Sequence, residues 1–208
     1  MKRTIAMAHE KGVSIGAHPS YPDRPGFGRR EMGLPLDSIA ESFIRQIQAM
    51  IECCESEGAR LRYVKPHGAL YNRAARDEKL ADLLTGCVTA VDESLAILGL
   101  AESVAQAAAR KRNVSFAREA FIDRGYLRDR TLVPRTERGA LIEDPQHAAD
   151  RAVRIARDRK IEAVDGTIIE LEADSLCVHG DGDRALETVT AARSALENAG
   201  FTIAAFAK

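Results

Sequence analysis

Four times along this chain a short apolar run breaks at once into a polar cluster. Residues 13–17 open into His18, 61–65 into His67, 114–117 into Glu119 and Asp123, and 175–178 into His179 and Asp181. Short runs dense in β-branched and small side chains read as buried strands. Between them lie longer segments with apolar residues at helical spacing. Strands alternating with helices mean parallel βαβ units, because a parallel return needs a long crossover. The fold class expected is therefore α/β. In a parallel sheet or barrel the carboxyl ends of the strands share one face, so the polar clusters are expected to converge there.

The first junction is the richest. Pro19, Pro22, Pro25, Gly26 and Gly28 stop the strand and hold a loop bearing His18, Asp23, Arg29 and Arg30. A strand that fixes the base and a loop that presents polar groups is a common way to build a site.

Helix is expected over 2–11, with Gly12 as its stop. A second helix starts at Ser38 as N-cap, with Glu41 completing a capping box, and runs to Gly58. Its apolar face carries Ile39, Phe43, Ile47, Met50, Ile51 and Cys54. Further helices are expected over 77–91, 101–111, 145–160 and 184–199, the last with Leu186, Val189 and Leu196 on one face. Shorter strands are expected at 95–98, at 167–171 as an accessory strand, and at 201–206. Residues 124–145 show no period and read as a functional or mobile loop.

At 208 residues the chain suits one domain over 1–208 with a sizeable core. Its net charge of -1 argues against partners bound by charge, such as nucleic acid or a membrane surface. There is no apolar run of about 18 residues and no signal-like N-terminus, so a cytoplasmic location is expected. Cys53, Cys54, Cys87 and Cys177 contain no Cys-x-x-Cys pair and read as reduced, packed thiols.

His18, His67 and His179 each fall just past a strand, where they suit general acid–base work or metal ligation. No His-x-x-x-His spacing marks a preformed metal motif, but ligands assembled from separate strands would show none. Asp23, Glu119, Asp123 and Asp181 are the candidate carboxylates; two held close would acquire different pKa values and supply an acid and a base. Asp183 reads instead as the cap of the last helix. Lys65 and Arg135 suit a carboxylate, a phosphate or a developing oxyanion.

Six motifs then fall in order. They are Gly16-Ala-His-Pro-Ser-Tyr-Pro-Asp23, Gly26-Phe-Gly-Arg-Arg30, Lys65-Pro-His-Gly-Ala-Leu-Tyr-Asn72, Glu119-Ala-Phe-x-Asp-Arg124, Leu132-Val-x-Arg135 with Gly139-Ala-x-Ile142, and Cys177-Val-His-Gly-Asp181. Together they resemble the LamB/YcsF family over nearly the whole chain. The resemblance implies a parallel (β/α) barrel of the glycoside hydrolase/deacetylase type, seven-stranded in the family. It implies the A subunit of a prokaryotic 5-oxoprolinase, which opens 5-oxo-L-proline to L-glutamate with B and C subunits and with ATP as co-substrate.

The catalytic set carried over is His18, Asp23, Lys65, His67, Glu119, Asp123, Arg135, His179 and Asp181. Alternatives are a metal-dependent deacetylase or amidase, with a divalent metal on His18, His67 and His179, or a non-catalytic partner subunit. A homo-oligomer is compatible with any of these. Family members also carry two earlier strands, one ending in an Asp-rich segment and one bearing a Gly-Phe-His-Ala-Gly-like motif. This chain opens on the helix after them. The barrel is therefore expected to be incomplete at its N-terminus, and the chain alone impaired.

Overall fold

The expected alternation runs through the computed structural model, which describes residues 1–207. In chain order the elements are α1 (Lys2–Glu10), β1 (Ile15–Ala17), α2 (Leu36–Ser56), β2 (Leu61–Val64), α3 (Gly68–Ala74), α4 (Glu78–Val91), β3 (Ala96–Leu100) and α5 (Val104–Lys111). Then follow β4 (Phe116–Phe121), α6 (Pro145–Asp158), β5 (Lys160–Glu162), β6 (Ile168–Glu170), β7 (Ser175–Cys177) and α7 (Ala185–Asn198). Five strands make one sheet in the order β1-β2-β3-β4-β7, with β1–β2, β2–β3 and β4–β7 paired in parallel. Parallel strands laid side by side in chain order, with helices in the crossovers, follow the winding of a (β/α) barrel. A doubly wound sheet would reverse its order at a switch point. The resemblance implied seven strands; the sheet of the described residues has five.

By internal contacts the chain divides into two units. The first takes Met1–Gly99 and Ser103–Ala117 with the C-terminal stretch from Ala205; the second takes Leu100–Glu102 and Arg118–Ala204. In the first, Ile15, Leu61, Val64 and Ile97 of the strands share a core with Ile39, Phe43, Ile47 and Cys54 of α2 and with Leu80, Leu84 and Val88 of α4. The α2 positions are spaced by four, four and seven residues, which keeps them on one face. In the second, α6 packs on α7 and buries Ala148, Ala149, Ala152 and Ile155. β5 and β6 pair antiparallel, Ile161 opposite Ile169, and bury those two side chains.

Four helices end in the same way, and this explains where the strands begin. Gly12, Gly58, Asn113 and Gly200 take φ of +64°, +65°, +57° and +88°. The next residue then donates its N–H back to the helix: Val13 to Ala8, Ala59 to Cys54, Val114 to Ala109 and Phe201 to Leu196. This closure satisfies carbonyls that the helix end leaves open. Val13 and Val114 are thus spent on helix ends, so β1 and β4 start later than their apolar runs suggest. As a consequence Glu119 lies inside β4 rather than past it.

Other expectations are corrected. α2 starts at Leu36, because the Pro35 carbonyl accepts the first helical bond from Ile39, and no Ser38 capping box forms. Residues 68–74 are helical. α5 starts at Val104, capped by Ser103. α6 stops at Asp158, where Arg159 turns left-handed and sends the chain into β5. Residues 201–206 form no strand; the Phe206 ring packs 5.0 Å from Tyr63. Arg184, not Asp183, is the N-cap of α7, without a side-chain bond.

The buried face of α7 is Thr188, Ala192 and Leu196, whereas Leu186 is 78% exposed. Leu196→Ala should therefore cost about 2–5 kcal/mol in urea unfolding. Leu186→Ala should stay within about 0.5 kcal/mol of the parent. Equal losses would refute this assignment of the α7 face.

Candidate active site

In the first unit β1 and β2 keep pairing after their strands end. Lys65 N–H donates to the Ala17 carbonyl at 2.9 Å, and His67 N–H to the Pro19 carbonyl at 2.8 Å. These rungs bring His18, Lys65 and His67 together. His18 Nδ1 lies 2.6 Å from the Lys65 carbonyl, His18 Nε2 lies 3.0 Å from His67 Nδ1, and His67 Nε2 lies 2.8 Å from the Phe27 carbonyl. The rings meet edge to face with centroids 4.7 Å apart.

The proton positions are assigned from these partners. Carbonyls only accept, so both outer nitrogens carry hydrogen. The two inner nitrogens, His18 Nε2 and His67 Nδ1, are left facing each other. Among the described residues no group of three or more His, Cys, Asp or Glu side chains is placed to hold a metal ion.

The loop after His18 is clasped by Asp23, which is buried. Its carboxylate accepts from Arg30 Nε at 2.9 Å, from Arg30 Nη2, and from Gly26 N–H at 3.0 Å. Arg30 foremost, and the Gly26 amide with it, hold this carboxyl below its ordinary range although burial pushes the other way. The clasp fixes the turn that delivers the Phe27 carbonyl to His67. Gly68 is needed beneath it. Its φ is +59°, and an added Cβ would stand 2.4 Å from the Gly28 carbonyl oxygen, which accepts from Ala69 N–H. Lys65 Nζ stands 5.7 Å from the centre of the Tyr71 ring.

In the second unit the site grows from β4 and β7. Their register sets Phe121 opposite Cys177, and Ile122 N–H donates to the Cys177 carbonyl at 3.3 Å. Two residues on, a side chain takes over from the backbone. The Asp123 carboxylate accepts from His179 N–H at 2.6 Å and from His179 Nδ1 at 2.9 Å. Phe121 stacks on the imidazole, with centroids 5.6 Å apart. Asp123 thereby sets the tautomer: Nδ1 carries the hydrogen, and Nε2 is left as the basic nitrogen. Burial would raise the Asp123 pKa, but the His179 ring and amide outweigh it and hold the carboxyl below its ordinary value.

A cleft of about 340 Å³ opens beside this pair, lined by Asp123, Arg135, His179, Asp181, Gly182 and Asp183 among others. The segment that read as aperiodic is folded. Antiparallel bridges join Arg124 to Leu141 and Tyr126 to Leu132, and Ile142 N–H donates to the Asp123 carbonyl at 3.0 Å. Glu119 is buried within β4, and its carbonyl accepts from Ala101 N–H.

Of the nine residues singled out by sequence, the structure gathers His18, Lys65 and His67 in the first unit, with Asp23 in the adjoining loop. It gathers Asp123, Arg135, His179 and Asp181 around the cleft of the second, and places Glu119 in β4. Sequence reasoning missed Tyr126 and Arg151. Tyr126 is fully buried, and its hydroxyl accepts from Phe121 N–H at 2.8 Å. For Arg151 the available signal was its place among Ala148, Ala149, Ala152 and Ile155 at helical spacing; for Tyr126, among charged residues, there was none.

Two outcomes follow from this geometry. Gly68→Ala should destabilise the protein by more than about 1 kcal/mol, since it adds both a left-handed Cβ and a clash; an unchanged thermal midpoint would contradict it. Asp123 titrates below 3.8 when folded, so just below that pH the unfolded chain binds more protons and stability falls with pH. Asp123→Asn should therefore lose stability less steeply than the parent when urea unfolding is followed from about pH 5 to pH 3.

Comparison with known proteins identifies the family. The sequence profile of the LamB/YcsF family matches residues 1–208. The crystal structure of a lactam utilization protein from Thermus thermophilus superposes with a TM-score of 0.91 at 41% identity, over 99% of this chain and 82% of that one. An ordered match of this length, on a backbone that close, settles the relationship: the chain belongs to the LamB/YcsF family.

Proposed function

We propose that this protein is a lactam hydrolase, the A subunit of a 5-oxoprolinase that opens 5-oxo-L-proline to L-glutamate with B and C subunits. The family and the lactam utilization neighbour support the lactam class. The observation that carries the chemistry is the Asp123–His179 pair beside the cleft.

A lactam carbonyl is a poor electrophile, and ATP as co-substrate of the complex would activate it by phosphorylating its oxygen. His179, held in the Nδ1–H tautomer by Asp123, takes a proton from water through Nε2 as water attacks the carbonyl carbon. The ring C–N bond then breaks, the nitrogen taking the proton held on His179, to give the amine of γ-glutamyl phosphate; a second water hydrolyses that acyl phosphate to glutamate and inorganic phosphate, with ADP as the other product. Arg135, on the same cleft, suits the negative charge that develops on oxygen. Asp181 lines the cleft as a second acid–base or water-orienting group. Lys65 brings a cation beside His18 and His67 beyond the carboxyl ends of β1 and β2, which suits a carboxylate or phosphate.

The test is glutamate release from 5-oxo-L-proline by the chain reconstituted with B and C subunits and ATP. His179→Gln should lower kcat by about 10²–10⁴-fold while the complex still assembles. No glutamate from the unaltered complex, or a full rate from His179→Gln, would overturn the assignment.

A further inference from the structure

Helix α6 turns Ala148, Ala149, Ala152 and Ile155 inward, and one member of that buried face is a guanidinium. Arg151 is only 8% exposed. A charge taken out of water is expensive unless it is well paired. Among the described residues no carboxylate is a hydrogen-bond partner of this one: Arg151 Nε donates to the Ile122 carbonyl at 3.1 Å, and Nη2 to the Arg124 carbonyl at 2.8 Å. Those carbonyls flank Asp123. The Asp123 carbonyl between them is held by Ile142 N–H. Three successive carbonyls are therefore tied down, two of them by one side chain from another element.

An apolar side chain would fill the same space without the desolvation cost. A rigid planar fork adds the ability to grip two carbonyls at a set spacing, and a lysine, with its single nitrogen, has no such fork. Arg124 extends the scaffold outward. Its Nε donates to the Ala140 carbonyl at 2.9 Å and its Nη2 to the Val133 carbonyl at 2.6 Å, on either side of Arg135 in sequence.

We infer that Arg151 is the positioning residue of the Asp123–His179 pair: it clamps the backbone on both sides of Asp123 and so aims the carboxylate at the His179 ring. This rests on reading His179 as the general base, but its structural part can be measured without turnover. Loss of aim acts on a group whose reach is a single hydrogen bond, and an error of about 1 Å in such a group can cost about 100-fold in rate.

The experiment is NMR of the full chain with 15N-labelled histidine, the His179 ring being identified as the signal lost in His179→Gln. The parent should show the Nδ1–H tautomer with a hydrogen-bonded Nδ1 proton. Folded Arg151→Met should lose that proton signal and shift toward the other tautomer, and Arg151→Lys, which keeps a cation and one bond, should lie between. Arg151→Lys also serves if Arg151→Met does not fold. In the reconstituted glutamate assay, kcat of Arg151→Lys should fall about 10–100-fold with KM nearly unchanged. A His179 ring spectrum identical to the parent in the folded variants would overturn the inference. If the unaltered complex makes no glutamate, the proposed reaction falls, and the ring spectrum still decides the role of Arg151.

Discussion

Parallel pairing that outlives the strands is the constraint on which the chemistry depends. β1, β2 and β7 are only three or four residues long, and the side chains of interest come after them. Past β1 and β2 the ladder continues through Lys65 with Ala17 and His67 with Pro19. Past β4 and β7 it continues through Ile122 with Cys177, and then the Asp123 carboxylate takes the place of a carbonyl and accepts from His179 N–H. Side chains alternate between faces along an extended chain, so a slip of one rung would turn each of these groups away.

That register is itself pinned by charge. Arg118, the third residue of β4, donates through its backbone N–H, Nε and Nη2 to the Asp174 carboxylate just before β7, and Asp174 N–H returns a bond to the Arg118 carbonyl. Several parallel charge-assisted bonds between two short strands specify one alignment far better than apolar contact would. The same economy appears in the Asp23 clasp, where one carboxylate closes the loop after β1. Polar groups in this protein mostly set geometry, and the apolar helix faces supply the stabilisation.

Much of this was legible from the residues. Apolar periods marked every longer helix and each of the five strands of the parallel sheet, though not the short α3, because burial on both faces of a sheet and on one face of a helix leaves different spacings. The Asp123 and His179 candidates were legible as polar residues following apolar runs. Strand starts were not, because Val13 and Val114 look like strand residues but close the preceding helices. The face of α7 was misread because Leu186 and Val189 are apolar yet lie largely exposed, while Thr188 is buried. β5 was hidden because Arg159 takes a left-handed turn that nothing in a single residue's propensity signals.

The amino-acid sequence by itself determined the class of fold, the order of its strands and the kinds of group near their carboxyl ends, since those depend on periodicity and on local breakers. Tertiary structure alone decided the partnerships: that the imidazoles of His18 and His67 meet, that Asp123 rather than another carboxylate sets the tautomer of His179, and that Arg151 lies buried with its fork on the backbone around Asp123. Each of these is a contact across at least 27 positions of chain. Such a contact depends on where folding brings the backbone, and no local pattern of residues encodes that distance.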